Sequence, residues 1–460
     1  MSNQRKVAVV GLDCVPPELV FDRWRNELPC LKSLQEEGWS ARLESVIPPI
    51  TVPAWSCMMS GKDPGELGIY GFRNRKDHSY DGLSIANSTA VREDRVWDIL
   101  GRAGKQVILL AVPGTYPPRP VNGSLVSCFL TPSAQSEFTY PASLKAELTQ
   151  KFGPYRLDVE NFRSEEKERI LEQIYRMTEQ HFAMARHLLS TRPWDFFMMV
   201  EMGTDRLHHA FWKFCDPSHR KYEKGNRFEN AMLDYYRFVD RQVAELWPLL
   251  GEETSVFVVS DHGAQKMEGG ICVNEWLQQE GYLSLAQPVA EMTPLAQVKI
   301  DWSKTKAWGE GGYYCRIFLN VRGREPQGVV APGEVEAVRE ELKRKLEAML
   351  DHRGQPLGTK VYKPEEIYHA VRGVPPDLIV LFGNLRWRSV GSLGLGRVHT
   401  FENDTGPDDA NHSQHGIFLL REPGLRKRRL DDLNLLDVAP TILHRFGIPP
   451  PAGMHGKVIQ

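Results

Sequence analysis

Neither sign of charge dominates this 460-residue chain: 57 Lys and Arg stand against 59 Asp and Glu, for a formal charge of -2. That balance argues against a nucleic-acid coat or a polybasic membrane anchor, while leaving room for a local basic pocket. Long apolar runs are missing too. The most apolar later segments, FFMMV and VFVVS, fall far below the roughly 18 residues that a spanning helix needs. The N-terminal MSNQRK passes straight into VAVVGLD, with neither the h-region nor the small-residue cleavage site of a signal peptide. Cysteine is sparse and odd in number. The seven thiols are scattered and form no CxxC pair, which favours free, mostly buried cysteines in a reducing compartment over a disulfide framework or a thiolate zinc site. No fixed-period repeat or low-complexity tract is visible. These absences lead us to expect a cytoplasmic protein with neither a membrane nor a polymeric nucleic acid as partner.

What is present is core material. With 41% apolar and 10% aromatic residues, the chain has enough to fill two or three domains. Residues 7–12, 107–111, 196–200 and 256–260 are short apolar or β-rich runs separated by helical patterning or long crossovers. That order predicts an α/β fold, a mainly parallel central sheet flanked by helices. Helical periodicity is expected over 163–190, 230–249, 334–350 and 432–446. Residues 270–392, with their own strands at 314–321 and 378–382, read as a smaller inserted α/β lobe. The main domain would then comprise 1–269 and 393–460, with 129–190 as a partial cap.

In open α/β sheets function gathers where strands end, and three of the four ends are polar in a specific way. Asp13 follows the first strand; EMGTDRLHH follows the third; Asp261-His262-Gly263 follows the fourth. In GTDRLHH, Asp205 and His209 are four residues apart, on one helix face, where a carboxylate and an imidazole can grip one divalent ion. Adjacent Asp261 and His262 can converge on an ion as the backbone turns at glycine. His412 and His415 add late imidazoles. Thr51 precedes a short apolar helix opened by Pro53 and ended by Gly61, so its hydroxyl is expected at a helix N-terminus, where an anion is favoured; the same position suits an ordinary cap.

These motifs, in order with TVPAW, SGKDPGELGI, NEWL, GREPQG, HSQHGIF, LDVAPTIL and the terminal HGK, resemble the type I phosphodiesterase/nucleotide pyrophosphatase family of the alkaline phosphatase superfamily, especially its soluble bacterial and archaeal branch. The resemblance implies an alkaline-phosphatase-like fold and two divalent ions, zinc or manganese. One ion would be held by Asp205, His209 and His412, the other by Asp13, Asp261 and His262, with Thr51 as its bound nucleophile. His412 is preferred over His415 because the family places this ligand four residues before the glycine of the GIF strand. Two departures stand out. Ala54 occupies the place where eukaryotic-type members usually carry a phosphoryl-binding asparagine, and Cys14, read as a buried thiol, follows the first Asp where glycine is common.

The implied reaction is hydrolysis of a phosphodiester or pyrophosphate linkage in a nucleotide or other small phosphorylated metabolite, through a phosphothreonine. A phosphomonoesterase with the same ion pair and a non-catalytic metal/phosphate-ligand sensor are the alternatives. Phosphoglycerate-mutase chemistry would need a three-carbon acid pocket. Sulfatase chemistry lacks its CxPxR or SxPxR pattern, since Cys57 is followed by MMSGK. Arg206 and Lys62 are candidate sources of positive charge, Arg206 being equally open to a surface salt bridge. Glu310, Tyr313 and Arg316 are candidate rim contacts, and substrate selection is expected from 129–155 and the 270–392 lobe.

Overall fold

The computed structural model describes residues 5–460; residues 1–4, the start of the MSNQRK segment, lie outside the described residues. Eight strands organise the main layer: β1 (Val7–Leu12), β2 (Trp39–Glu44), β3 (Val107–Leu110), β4 (Gly123–Val126), β5 (Thr139–Tyr140), β6 (Phe196–Glu201), β7 (Ser255–Val259) and β8 (His415–Arg421). Across the sheet they run β2-β8-β7-β1-β6-β3-β4-β5, and two short segments, Arg428–Arg429 and Leu433–Asn434, pair with β2. The stretch from β7 to β4 is parallel, while β8 runs antiparallel to both β7 and β2. The sheet is therefore α/β and mainly parallel, as its apolar runs imply.

The central strands VAVVGL, FFMMVE and SVFVV are buried almost throughout, the pattern of a parallel sheet covered on both faces. The helices that bear on the site are α1 (Thr51–Ser60), α2 (Lys167–Thr191), α3 (Gly203–Cys215), α4 (Ala231–Leu250), α5 (Val335–Glu347) and α6 (Val438–Arg445). Helix α6 is shorter than the periodicity of 432–446 suggests, because Leu433–Asn434 extends as a strand and Leu435–Asp437 forms a 3-10 turn first. In the core Phe257 meets Phe418 across β7 and β8, ring centroids 6.0 Å apart. Burial of each such side chain contributes about 1.5–3 kcal/mol.

A second apolar core spans Ile271 to Leu393. Its four-stranded sheet orders Ala307–Glu310, Cys315–Leu319, Leu378–Leu381 and Lys360–Tyr362 side by side, and α5 lies against it through Leu342 and Leu346. Among the described residues no helix is long and apolar enough to cross a membrane.

Register decides where the polar strand ends meet. Leu12 pairs with Glu201 and Gly11 with Val259, so β1, β6 and β7 end side by side and Asp13, α3 and Asp261 leave the sheet at one edge. Antiparallel β8 begins at that same edge. Immediately before it, Ala410–Ser413 pairs with Gly263–Lys266, setting His412 opposite Ala264. Helix α1 lies against β1 because Gly11 has no side chain. A Cβ there would come within 2.5 Å of the Trp55 ring and 2.8 Å of Val200.

Gly11→Val is therefore expected to push Trp55 off the sheet and destabilise the fold by about 1–3 kcal/mol, read as a lower urea midpoint with an unchanged m-value. Wild-type stability in the variant would mean that α1 does not depend on this contact.

Candidate metal centre

The sheet edge gathers three carboxylates, three imidazoles and one hydroxyl, all within 2% of full burial. Asp205 and His209 project from α3, one turn apart, and His412 joins them. His209 Nε2 lies 3.3 Å from Asp205 Oδ1 and 3.4 Å from His412 Nε2, and His412 Nε2 lies 3.7 Å from the same carboxylate oxygen. Beside them, His262 Nε2 is 3.2 Å from Asp261 Oδ2 and 3.8 Å from Asp13 Oδ1. Thr51 Oγ1 sits 3.5 Å from Asp13 Oδ1 and 3.4 Å from His262 Nε2.

These spacings suit a metal ion. Ligands about 2.0–2.1 Å from a tetrahedral ion stand roughly 3.3 Å from one another. Two of the converging oxygens, Asp205 Oδ1 and Asp261 Oδ2, are buried and have no hydrogen-bond partner, a costly state for an acceptor unless a cation satisfies it. Each imidazole is also fixed from behind. The Nδ1 of His209 bonds to Asp408 Oδ1 at 2.7 Å, that of His412 to the Pro49 carbonyl at 2.8 Å, and that of His262 to the Gly263 carbonyl at 3.1 Å. With Nδ1 donating in all three, every Nε2 lone pair faces inward, the arrangement found behind metal-bound histidines. Cys14, His262 and His412 also come within ligand range of one another, but the Cys14 thiol donates to the Gly263 carbonyl at 3.4 Å.

The electrostatics point the same way. Burial, then the Asp205 charge, pushes the Asp13 carboxyl well up, and burial with the Asp13 charge does the same to Asp261. Burial works to raise Asp205 as well, but the charges of His209 and Arg206 hold it well below the ordinary carboxylate range. Burial opposes protonation of His209, yet Asp408 and Asp205 carry it up to about 9, whereas burial drops His262 to about 4. The field that draws a proton to His209 is the field that would hold a divalent cation.

The other sequence candidates separate. Tyr313 reaches the centre: its ring stacks on His412 and His209 with centroids 4.3 and 4.7 Å away. Arg163 fixes it, donating to the Tyr313 hydroxyl and, at 3.0 Å, to Asp408. Arg206 is not a surface group. It is 7% exposed and donates to Asp205 and, bidentately at 2.7 Å, to Asp158. Lys62 follows the far end of α1, some 15 Å of helix from Thr51, and pairs with Glu66 at 3.2 Å. Arg316 donates to the Arg73 carbonyl, and Glu310 lines a cavity of about 710 Å³ whose walls include none of the donor side chains. His415 turns away to Arg42 and Asp432. Helix α1 begins at Thr51 itself, two residues earlier than Pro53 suggests, with Ile50 as its cap.

Sequence reasoning passed over Asp408 and Asp158, which act through other side chains. The only local signal was the acid pair of DDANH, four and three residues before His412.

Residues 7–408 match the model of the type I phosphodiesterase / nucleotide pyrophosphatase family. The chain belongs to that family. It is accordingly a phosphoric ester hydrolase of a metal-dependent type. No curated protein matches it significantly in sequence. Among solved structures it is similar to human ectonucleotide pyrophosphatase / phosphodiesterase 5, with 15% identity and TM-score 0.57 over 98% of this chain and 97% of that one. The murine counterpart gives 14% identity and TM-score 0.56, over 97% of this chain and 96% of that one. An inactive threonine-to-alanine variant of the murine protein in complex with AMP gives 14% and 0.57 over the same shares. At these identities the likeness shows the fold.

Asp408→Asn should leave the fold intact but weaken the hold on the His209 ring, lowering metal affinity by about 10–100-fold. Competition with a chromophoric chelator reads this directly, and undiminished affinity would remove Asp408 from the support of the centre.

Proposed function

We propose that this protein hydrolyses a phosphodiester or pyrophosphate linkage in a nucleotide or related small phosphorylated metabolite, with Thr51 as nucleophile and two ions, zinc or manganese. The observation that carries this reading is the position of Thr51, at the N-terminus of α1 and within 3.5 Å of the Asp13 and His262 donors. Asp205, His209 and His412 would hold one ion, and Asp13, Asp261, His262 and Thr51 the other. Family membership supports the reaction class, and the AMP-bound neighbour supports a nucleotide-sized substrate. The mixed oxygen and nitrogen donors suit either metal.

When bound, the two divalent ions supply positive charge that lowers the pKa of the Thr51 hydroxyl and offsets the charge of the phosphate. Asp13, Asp205, Asp261 and a Thr51 alkoxide contribute four negative charges, which two divalent ions balance. Thr51 Oγ1 attacks phosphorus as the bond to the leaving oxygen breaks on the opposite side, giving a phosphothreonine. Water then cleaves the phosphorus–Oγ1 bond, and Thr51 regains its proton. Pro53 contributes no N–H at the α1 N-terminus, but the helix end still favours the anion.

Diesters fit this site better than monoesters. A monoester carries an extra negative oxygen and needs another cation, while Arg206 is committed to Asp158 and Asp205, and Lys62 to Glu66 at the other end of α1. The remainder of the substrate would lie toward the 270–392 lobe. There, Tyr80, Trp302, Trp308 and Glu310 line the 710 Å³ cavity, which extends to Gly312 and to Arg388 beside Asp408. The 129–190 segment would act as the cap, through Arg163 on Tyr313 and Phe162 over His209. The seven unpaired cysteines support a reducing, cytoplasmic setting.

Thr51→Ala, stripped of metal and reloaded with zinc or manganese, is expected to bind metal yet lose turnover of an aryl phosphodiester by roughly 10³-fold or more. The wild type should turn over the matched monoester more slowly. Faster monoester turnover would reassign the protein as a phosphatase, and metal binding with no turnover of either substrate would favour a ligand sensor.

A further inference from the structure

A second cluster of metal-ligating side chains stands at the opposite end of α1 from Thr51. Asp63 and Glu66 leave the turn after α1, His369 comes from the second lobe, and His455 from the C-terminal tail. One donor atom from each lies within 4.8 Å of the other three, the same closeness that marks both halves of the catalytic centre. The two imidazoles are stacked face to face, centroids 3.6 Å apart and planes 7° from parallel. Each presents one nitrogen to a carboxylate: His369 Nδ1 is 2.8 Å from Asp63 Oδ2, and His455 Nε2 is 2.7 Å from Glu66 Oε2.

The side chains of the two acids are 7% and 9% exposed, whereas those of His369 and His455 are 57% and 26% exposed. A buried carboxylate pair thus lies under a pair of imidazoles open to solvent. With neutral rings, Lys62 beside Glu66 leaves the cluster one net negative charge. Backbone contacts hold the donors in place, since Asp63 Oδ1 caps the Glu66 N–H at 2.9 Å, Asp63 Oδ2 accepts the His369 N–H at 2.7 Å, and the His455 N–H donates to the Gly61 carbonyl at 2.9 Å.

We propose that Asp63, Glu66, His369 and His455 form a structural site for a borderline divalent transition ion such as zinc, distinct from the catalytic pair. Two imidazole nitrogens and two carboxylate oxygens make a four-donor set for such an ion. Its entry widens the 2.7–2.8 Å contacts toward the roughly 3.3 Å spacing of a tetrahedral shell and turns the exposed His369 ring out of the parallel stack, because each lone pair lies in its own ring plane and one ion cannot lie in two parallel planes. Each neutral ring carries its proton on the nitrogen facing the carboxylate, and binding shifts that proton to the other ring nitrogen, so none need be lost. The ion ties together three segments remote in sequence, the α1 turn, the second lobe and the C-terminal tail. Because the site exists only in the folded chain, its occupancy stabilises the fold.

Elemental analysis decides the matter on full-length protein stripped with chelator, then equilibrated with zinc and freed of excess. Wild type is expected to retain one zinc per chain more than His369→Ala or His455→Gln, and to gain thermal stability from zinc that these variants do not gain. The count is a difference between proteins, so it holds whether the catalytic centre binds two ions or none. Asp261→Asn should weaken the catalytic set yet keep the extra zinc. Equal zinc content in wild type and both variants, each folded by circular dichroism, would overturn the proposal. His455→Gln, on the tail, serves should His369→Ala fail to fold.

Discussion

The burial of three carboxylates at one sheet edge is the constraint from which most of this structure follows. Asp13, Asp205 and Asp261 are shut away from water, and anions so placed are strongly unfavourable unless cations and hydrogen bonds compensate. The fold supplies part of that compensation. Arg206 faces Asp205, the Trp55 indole donates to Asp13 at 2.7 Å, and the Cys14 N–H donates to Asp261 at 3.3 Å. Two carboxylate oxygens still lack a partner, and the three imidazoles have their outer nitrogens engaged so that the inner ones face them. Such a site is built for positive charge from outside the chain.

The parallel sheet is what makes so concentrated a site affordable. Parallel strands send their C-terminal ends to one edge, so acids separated by some two hundred residues arrive side by side without loops crossing the core. Antiparallel β8 completes the set from the opposite chain direction, since the strand that precedes it carries His412 back to His262. Helix α1 brings Thr51 to the same edge, and Gly11 allows Trp55 to close onto β1 and reach Asp13. Sheet packing and site geometry are thus one arrangement.

A surrounding layer of charge holds the donors in position. Asp408 orients His209 and is itself held by Arg163 and Arg388, at 3.0 and 3.2 Å. Tyr313 covers two of the imidazoles and is anchored by the same Arg163. Arg163, which precedes α2, Arg388 and Tyr313 from the region of the second apolar core, and His209 of α3 therefore meet on one buried network around Asp408, where removing one partner would leave another charge stranded. At the other end of α1, His369 and the C-terminal His455 meet Asp63 and Glu66, so this helix is tied at both ends.

Much of this was legible in the chain. The apolar runs determined a parallel α/β sheet because strands covered on both faces must be hydrophobic throughout. GTDRLHH placed an acid and an imidazole on one helix face through helical spacing alone, and ordered motifs identified the family. Pairings across the fold were not legible. Nothing local distinguishes Asp408 as the partner of His209, or Asp158 as that of Arg206, because a hydrogen bond between residues 199 or 48 positions apart leaves no mark on its neighbours. Lys62 and Arg206 are both basic residues beside conspicuous motifs, and only the direction of α1 and the depth of α3 set one far from Thr51 and buried the other. The sequence by itself determined which residue types stand at each strand end; the tertiary structure decided which side chains face one another, because register and helix packing act between segments far apart in the chain.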